Sequence, residues 1–372
     1  MELIAMALIV AGVLLAQYLL YSRLGLKNLT YKLTVSVPEA FEGDEIEIIE
    51  EIENAKALPL PWIRTEINCS RWLTFRGQSH TPDSGDDQRG LISGIFVLKG
   101  HQKCRRVWKV RCEKRGVFTI EDTSLAVSDL FGLIKPAVVF RIRESVRVLP
   151  RPTEAELPEL SSDAFIGDIP VRRFVLPDPF MISGAKEYSG REPMNRIHWA
   201  QTARTGSLMA YSNEFTTERR FLMIMNMQRS VMSDVQTLPL AVLEGQIKAA
   251  AFLLDHCCQT RAEIALTVNS ADGIFLPPSS GYEHTMKALR ELAELKNECG
   301  AHIDDHFDKL DLTDYTDIVF ITSFLTDKTA DILRRLREMR KNCLVMSTDI
   351  SETDFDGVVT IPRRYYAGGS GE

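Results

Sequence analysis

The sequence lacks the short motifs by which most enzymes bind nucleotides, metals or acyl substrates. It contains no P-loop, no GxSxG elbow, no HExxH pair and no Gly-rich dinucleotide fingerprint. Its seven cysteines include no CxxC pair, so no motif indicates zinc ligation or thioredoxin-type redox chemistry. We therefore expect no catalytic residue, no metal and no cofactor.

An excess of positive charge is also lacking, because 44 Lys and Arg residues face 51 Asp and Glu residues, for a net charge of −7. Sequence-independent nucleic-acid binding needs basic residues that displace counterions, so we expect no nucleic-acid partner. Hydrophobic residues make up 45% and charged residues 26% of the chain, which is typical of folded globular proteins. The odd number and irregular spacing of the cysteines indicate free thiols in a reducing compartment.

Residues 3–22 contain no charged residue and only one Gln. At about 1.5 Å per residue, this run is just long enough to cross a hydrocarbon core of about 30 Å. A cleaved signal peptide is the alternative, but no positive charge precedes the run and no small-residue cleavage site follows it. We therefore predict that residues 1–22 are a retained transmembrane anchor.

The basic residues near the anchor all lie on its C-terminal side: Arg23, Lys27 and Lys32. Basic residues flank membrane helices preferentially on the cytoplasmic side. The expected localisation is therefore the cell membrane, single-pass, with the soluble part in the cytoplasm.

The periodicity of the soluble part changes along the chain and predicts an α+β multidomain protein. Residues 31–150 alternate polar and apolar side chains between Gly, Pro and Asp turns, which predicts an antiparallel β-sandwich-like domain. Residues 151–219 are Pro-rich, contain a dense polar motif and are interpreted as a connector. In residues 220–366, short apolar runs alternate with helical segments, which predicts a doubly wound, mainly parallel α/β domain.

Three stretches together resemble the bacterial domain of unknown function 58 family. They are KRGVFTIEDTSLAVSDLFGLIK at 114–135, VRVLPRP at 146–152, and KEYSGREPMNRIHWAQTARTGSLMAYSNEF at 186–215. The resemblance implies a membrane protein whose β-rich region precedes a von Willebrand factor A-like domain. It also implies an assembly with a MoxR-type AAA+ ATPase and a transglutaminase-like membrane protein, since such proteins are often encoded beside members of this family.

The chain departs from the family pattern in two respects. Many members have a Gly-Asp pair after the tyrosine of the third stretch, whereas this chain reads Gly190-Arg191-Glu192. Many members also have two membrane helices, and only one is visible here. Any role of the missing aspartate would pass to Glu192.

The third stretch crowds polar and aromatic residues into a short central motif. Its candidate residues are Tyr188, Glu192, Arg196, His198, Trp199, Arg204 and Gly206. One interpretation is a buried polar network in which arginine forks pair with carboxylates and Trp199 fills the core. A second is a partner surface, because Arg, Trp and Tyr dominate interface hot spots. A third is catalysis by His198 as a base oriented by Glu187 or Glu192, for which no nucleophile is marked.

The resemblance also implies positions for a magnesium site. In von Willebrand factor A domains, a DxSxS loop after the first strand and an Asp after a later strand hold the ion. If residues 221–227 are that first strand, the loop positions are Asn226, Gln228 and Ser230, and Ser323 replaces the later Asp. Hard divalent cations need carboxylate oxygens, and both carboxylates are absent. We therefore expect a degenerate site that binds no metal but still leaves a crevice at the strand ends.

These observations predict a membrane-anchored scaffold or adaptor that docks a partner through its A-like domain and contacts lipid through its N-terminal helix. The main alternative is an envelope-associated hydrolase or transferase that uses His198 and Glu192. An extracellular adhesin is a third possibility, which the basic flank of the anchor disfavours.

Overall fold

The computed structural model describes residues 2–83, 86–132, 135–152, 182–188, 197–213, 219–229, 237–339, 341–348 and 358–361. The chain divides into two compact units. The first comprises Met1–Thr153, Ile247–Phe252 and Thr285–Lys296. The second comprises Glu154–Gln246, Leu253–His284 and Asn297–Glu372.

The first unit begins with the apolar helix α1, Glu2–Leu24. Its Leu3–Leu24 segment has a mean hydropathy of 2.5 and is long and apolar enough to cross a membrane. This agrees with the membrane segment expected from the sequence. Gly25 follows the helix, and its N–H donates to the carbonyl of Tyr21 at 2.9 Å.

Ten strands follow α1 and form two sheets. They are β1 Leu29–Val35, β2 Glu39–Phe41, β3 Glu45–Asn54, β4 Leu60–Ser70, β5 Leu73–Phe75, β6 Thr81–Asp83, β7 Asp86–Leu98, β8 Gln102–Cys112, β9 Gly116–Ser128 and β10 Ala137–Leu149. One sheet has the order β1-β3-β8-β5, and the other has the order β2-β10-β9-β4-β7-β6. All neighbouring strands are antiparallel except the β2–β10 pair.

The alternating sequence pattern determines which side chains these strands bury. In β3, Ile46 and Ile48 are buried while Glu45 and Glu47, which alternate with them, are exposed. Both sheets supply the same hydrophobic cluster, which includes Ile48 of the first sheet and Ile67 and Ile120 of the second. Burial of such side chains contributes about 1.5–3 kcal/mol each. The two sheets are therefore held together by the period-2 alternation seen in the sequence.

Arg115, in the first of the three family-like stretches, has a buried structural role within the first unit. It is 8% exposed, and its Nη1 donates to the carbonyls of Leu292 and Ala293 at 2.9 and 3.2 Å. These carbonyls belong to the last turn of a helix, where the backbone has no intrahelical donor. A guanidinium therefore stabilises this helix end with several charge-assisted hydrogen bonds.

The second unit contains a two-stranded antiparallel ribbon formed by β11, Ile182–Glu187, and β12, Met209–Asn213. Between these strands lies the short helix α2, Trp199–Thr205. The sequence predicted a connector here, so this ribbon and helix were not anticipated.

The remaining strands form a six-stranded sheet with the order β15-β14-β13-β16-β17-β18. Its strands are β13 Arg220–Met225, β14 Glu263–Val268, β15 Phe275–Ser279, β16 Asp317–Thr322, β17 Asn342–Ser347 and β18 Val358–Thr360. Every pair is parallel except β14–β15. The helices that alternate with the strands are α3 Leu240–Thr260, α4 Tyr282–Glu294, α5 Ile303–Asp308 and α6 Asp327–Glu338.

The near-continuous apolar runs of these strands are buried, as expected for parallel strands. All six residues of β16 are buried, and Phe320 packs edge-on against Phe307 of α5 with ring centroids 5.3 Å apart. The same cluster includes Leu222, Leu333 and Val345. The alternation of apolar strands and helices expected from the sequence is observed, and β15 and α5 are additional elements.

All seven cysteines are free, as their irregular spacing indicated. Burial raises the pKa of Cys69 and Cys257 to about 12 and that of Cys112 and Cys343 to about 11. Thiols with such pKa values carry almost no thiolate near neutral pH. These four cysteines therefore behave as small hydrophobic residues of the two cores.

Candidate functional site

The positions implied for a magnesium site lie where the parallel strands of the second unit end. Asn226 and Gln228 follow β13, Asn269 follows β14, and Ser323 follows β16. Ser230 lies outside the residues that the structure describes. Because the carboxyl ends of parallel strands meet at one edge of a sheet, these side chains share the edge at which open α/β sheets bind ligands.

Asn226 is fully buried and connects three strand ends by hydrogen bonds. Its Nδ2 donates to Thr322 Oγ1 at 3.0 Å. Its Oδ1 accepts from the Gln228 N–H and from Asn269 Nδ2, both at 3.0 Å. An aspartate could not make the bond to Thr322 in which Asn226 is the donor. Both polar atoms of the Asn226 amide thus have hydrogen-bond partners inside the protein.

Asn269 and Gln228 extend this set of hydrogen bonds, which we call the amide network. Asn269 Oδ1 accepts from the Met227 N–H at 2.6 Å, and its Nδ2 also donates to the carbonyl of Ala301 at 3.0 Å. Gln228 Oε1 accepts from the Ile303 N–H at the start of α5 at 3.1 Å. Buried amides require such partners, because an unsatisfied buried polar group costs about 1–3 kcal/mol.

A carboxylate that the sequence did not single out also lies near this edge. Asp304 Oδ1 accepts hydrogen bonds from the hydroxyls of Thr326 and Thr329, at 2.7 and 3.0 Å. His302 Nδ1 lies 3.5 Å from Asp304 Oδ2. The signal in the sequence was Thr326, an N-cap type of residue before α6, but nothing local pairs it with an aspartate 22 residues earlier.

The oxygen atoms at this edge of the sheet are not suited to bind a magnesium ion. The oxygens of Asn226 and Gln228 already accept backbone or amide N–H groups, and Asp304 Oδ1 accepts two hydroxyls. Ser323 offers only a neutral hydroxyl, which is buried without a hydrogen-bond partner among the described residues. A hard cation requires free oxygens, of which one or two are charged. The amide network holds strand ends together instead.

A cavity of about 480 Å³ lies on one side of the same sheet. Its lining includes Thr267, Phe275, His306, Lys309 and Tyr315. His306 Nε2 lies 2.9 Å from Thr267 Oγ1. The pKa of His306 is lowered below its ordinary value of 6.5, mainly by burial and to a smaller extent by the positive charge of Lys309. The imidazole therefore remains neutral near pH 7 and serves as a hydrogen-bonding group.

The central motif surrounds α2, and His198 begins that helix. Its Nδ1 accepts from the Gln201 N–H at 3.2 Å, which satisfies one of the unpaired donors of the first turn. Gly206 ends the helix with φ 73°, a left-handed conformation that glycine adopts without steric cost. Two of the predicted motif residues thus set the bounds of one short helix.

Backbone hydrogen bonds hold α2 against the ribbon. The Tyr188 N–H donates to the Leu208 carbonyl at 2.8 Å, and the His198 N–H donates to the Met209 carbonyl at 2.7 Å. The Met209 N–H in turn donates to Thr202 Oγ1 at 2.9 Å. Glu192 and Arg196 lie outside the described residues, so the proposed pairing of His198 with Glu192 stays a prediction.

Trp199 does not fill a core, and that part of the buried-network interpretation is wrong. Its side chain is 64% exposed, and α2 has no buried residue. Arg204 and Leu208 are also exposed, Leu208 to 48%. The physical reason is that α2 is fixed by capping and backbone hydrogen bonds, so it needs no apolar side chain beneath it. We call Trp199, Arg204 and Leu208 the motif surface.

Residues 185–361 match the model of a family described as "Protein of unknown function DUF58". No curated protein matches the chain. Solved structures similar to part of it include a non-cellulosomal cohesin from Archaeoglobus fulgidus, with 15% identity, 32% of this chain and 91% of the other covered, and a TM-score of 0.22. Another is the sporulation control protein Spo0M from Bacillus subtilis, with 10% identity, 38% and 55% covered, and a TM-score of 0.21.

Proposed function

Because the chain belongs to the DUF58 family of proteins of unknown function, we propose a role from its own geometry. The role is that of a membrane-anchored scaffold or adaptor whose C-terminal α/β domain docks a protein partner. The observation that carries the proposal is the motif surface. A tryptophan that is 64% exposed lies in the family-matched part of the chain, on a helix with no buried residue.

The chemistry of the motif surface suits protein recognition. Trp and Arg are enriched among interface hot spots, and a rigid aromatic side chain loses little conformational entropy on binding. Trp199 and Arg204 project from a helix fixed at both ends by His198 and Gly206. A surface that is ordered before binding costs less to dock than a loop that must first be ordered.

The order of the six strands supports a von Willebrand factor A-like fold for this domain. Parallel strands spread to both sides of β13, and β15 is an antiparallel edge strand. In this proposal the domain docks without a metal ion, because the amide network occupies the oxygens that a metal would need.

The helix α1 anchors the adaptor in the membrane, and the basic residues after it favour a cytoplasmic soluble part. A MoxR-type AAA+ ATPase is the partner that we propose, with a transglutaminase-like membrane protein as a further component. A hydrolase or transferase that uses His198 is less well supported, because Nδ1 of this histidine caps α2.

Co-purification of the MoxR-type ATPase with the full-length chain in detergent tests the proposal. Trp199→Ala should reduce ATPase recovery at least about tenfold, as loss of a hot-spot aromatic does. Tyr282→Ala is the matched control, because Tyr282 is a 69% exposed aromatic at the start of α4 and should leave recovery unchanged. Equal recovery with native protein and both variants would contradict the proposal.

A further inference from the structure

The C-terminal half of α1 is packed against the first unit. Gln17 Nε2 donates to Asp129 Oδ2 at 2.9 Å, and the Tyr21 hydroxyl donates to the Pro59 carbonyl at 3.0 Å. Tyr21 is only 3% exposed and Asp129 only 1%. The anchor and the β-sheets beside it are therefore joined without a flexible spacer.

Part of the apolar stretch of α1 is packed against the rest of the first unit. The helix contacts its own unit along one stripe, because Leu14 and Gln17 are partly buried and Tyr21 is buried. This stripe lies within the Leu3–Leu24 segment, which spans about 33 Å at 1.5 Å per residue. A hydrocarbon core is about 30 Å thick. If α1 crosses the membrane, the surface beside Gln17 therefore reaches lipid.

That surface is apolar and exposed. Leu130 and Phe131, directly after Asp129, are 60% and 63% exposed, and Trp62 and Ile95 on the outer face of the adjoining sheet are 55% and 57% exposed. These four residues, which we call the apolar rim, line one groove of about 400 Å³. Contiguous exposed apolar side chains of this kind mark protein or membrane interaction sites.

Two basic residues line the same groove, Arg64 and Lys135. Arg64 pairs with Glu66 at 2.9 Å, but its side chain is still 62% exposed. Long basic side chains place their charge at lipid headgroups while their stems cover apolar surface, and Trp prefers the same interfacial level. The combination of aromatic, aliphatic and basic side chains thus matches an anionic membrane surface.

We propose that the apolar rim is inserted in the interfacial layer of the bilayer that α1 crosses, with Arg64 and Lys135 at the lipid phosphates. The inference rests on the membrane anchor of the proposed function. Asp129 then supplies the hydrogen-bond partner that the Gln17 amide needs inside an apolar environment. The first unit then lies on the membrane surface.

Tryptophan quenching by brominated lipid tests this placement. The full-length chain is reconstituted in vesicles of phosphatidylcholine and phosphatidylglycerol whose acyl chains carry bromine near the headgroup end. Bromine should quench part of the native emission relative to vesicles without bromine. Trp62→Phe should abolish the quenched component, whereas Trp72→Phe should retain it, because Trp72 lies after the opposite end of β4 and stacks against Arg71.

A second variant and an extraction assay separate the possible failures. Leu130→Asn combined with Phe131→Asn should reduce the quenching of Trp62 while the chain still resists carbonate extraction. An unquenched Trp62 in a chain that resists extraction overturns the proposal, because the apolar rim then lies away from the lipid although α1 is inserted. Release of the native chain by carbonate overturns the anchor itself, and with it both the proposal and the membrane part of the proposed function.

Discussion

The strand-end edge and the motif surface, both in the second unit, present their side chains in opposite ways. At the strand ends, Asn226 and Asn269 are fully buried or nearly so, and their amides bond to neighbouring strands and loops. On α2, Trp199 and Arg204 are exposed, and only backbone groups and caps hold the helix. A polar cluster in a sequence can therefore be an internal tie or an open surface, and burial distinguishes the two.

Because of this difference in burial, substitutions in the amide network and on the motif surface should affect different properties of the protein. Substitutions in the amide network should cost stability because each leaves a buried group without its partner. Substitutions on the motif surface should cost partner binding and little stability, because those side chains are exposed.

Asn226→Asp should destabilise the second unit by about 3–5 kcal/mol near neutral pH, as an uncompensated buried charge does. The variant loses the donor to Thr322 and places a carboxylate beside buried groups. Burial would raise the pKa of this Asp above its unfolded value, so the destabilisation should shrink as the pH falls through the folded pKa. Urea unfolding of the full chain in detergent, at several pH values, measures both effects.

Asn28→Asp is the control, because Asn28 is exposed and should tolerate the change. A similar loss of stability in both variants would indicate that Asn226 is not part of a structural network. Unchanged stability of Asn226→Asp together with new magnesium binding would contradict the internal role of its amide.

His306→Gln should remove part of the acid sensitivity of the protein, an effect smaller than that of Asn226→Asp. The pKa of His306 is lowered in the folded state, so the unfolded chain takes up a proton first as the pH falls. His306 therefore contributes its full share to the free energy of unfolding when the pH is above its pKa in the unfolded chain. That contribution is lost as the pH drops below this pKa. Gln keeps a polar partner for Thr267 but cannot titrate.

The measurement is the unfolding midpoint of native chain and variant between about pH 7.5 and 5.5, the range in which histidine titrates. The midpoint should fall less steeply for the variant. Parallel curves for both proteins would show that His306 is protonated equally in the folded and unfolded states.

Trp199→Ala should have the smallest effect on stability, within about 0.5 kcal/mol, as for other surface substitutions. A tryptophan in a core would instead cost about 3–5 kcal/mol. The same urea unfolding assay distinguishes the two values. A loss in the larger range would show that Trp199 supports the fold, and the comparison with Asn226 would fail.

Helices and strands could be predicted from the sequence where the periodicity or the capping residues of a single segment were sufficient to identify it. The apolar runs of β13 and β16 were visible because parallel strands are buried on both faces. The edge strand β15 was missed because Pro277 and Pro278 argue against a strand, although prolines are tolerated at a sheet edge. Helix α5 has only six residues, too few for a helical period to be recognised.

The partners of the site residues could not be predicted, because they come from distant parts of the chain. Asn226 bonds to Asn269 and Thr322, which are 43 and 96 residues away. Trp199 was expected in a core because large aromatics usually fill cores, and no local signal shows that α2 lacks an apolar face beneath it. Spacing indicated the strand end that carries Asn226, but only three-dimensional packing shows that its amide is occupied.

Photocrosslinking from position 199 in the native membrane tests whether a partner docks on the motif surface. Trp199 is replaced by a photoreactive phenylalanine derivative in the full-length chain, and Tyr282 is replaced in a second chain as the control. We predict that the first chain forms an adduct with the MoxR-type ATPase and that the second, exposed to a similar degree, forms none. Adducts confined to the chain itself, or equal adducts from both positions, would contradict a partner surface at Trp199.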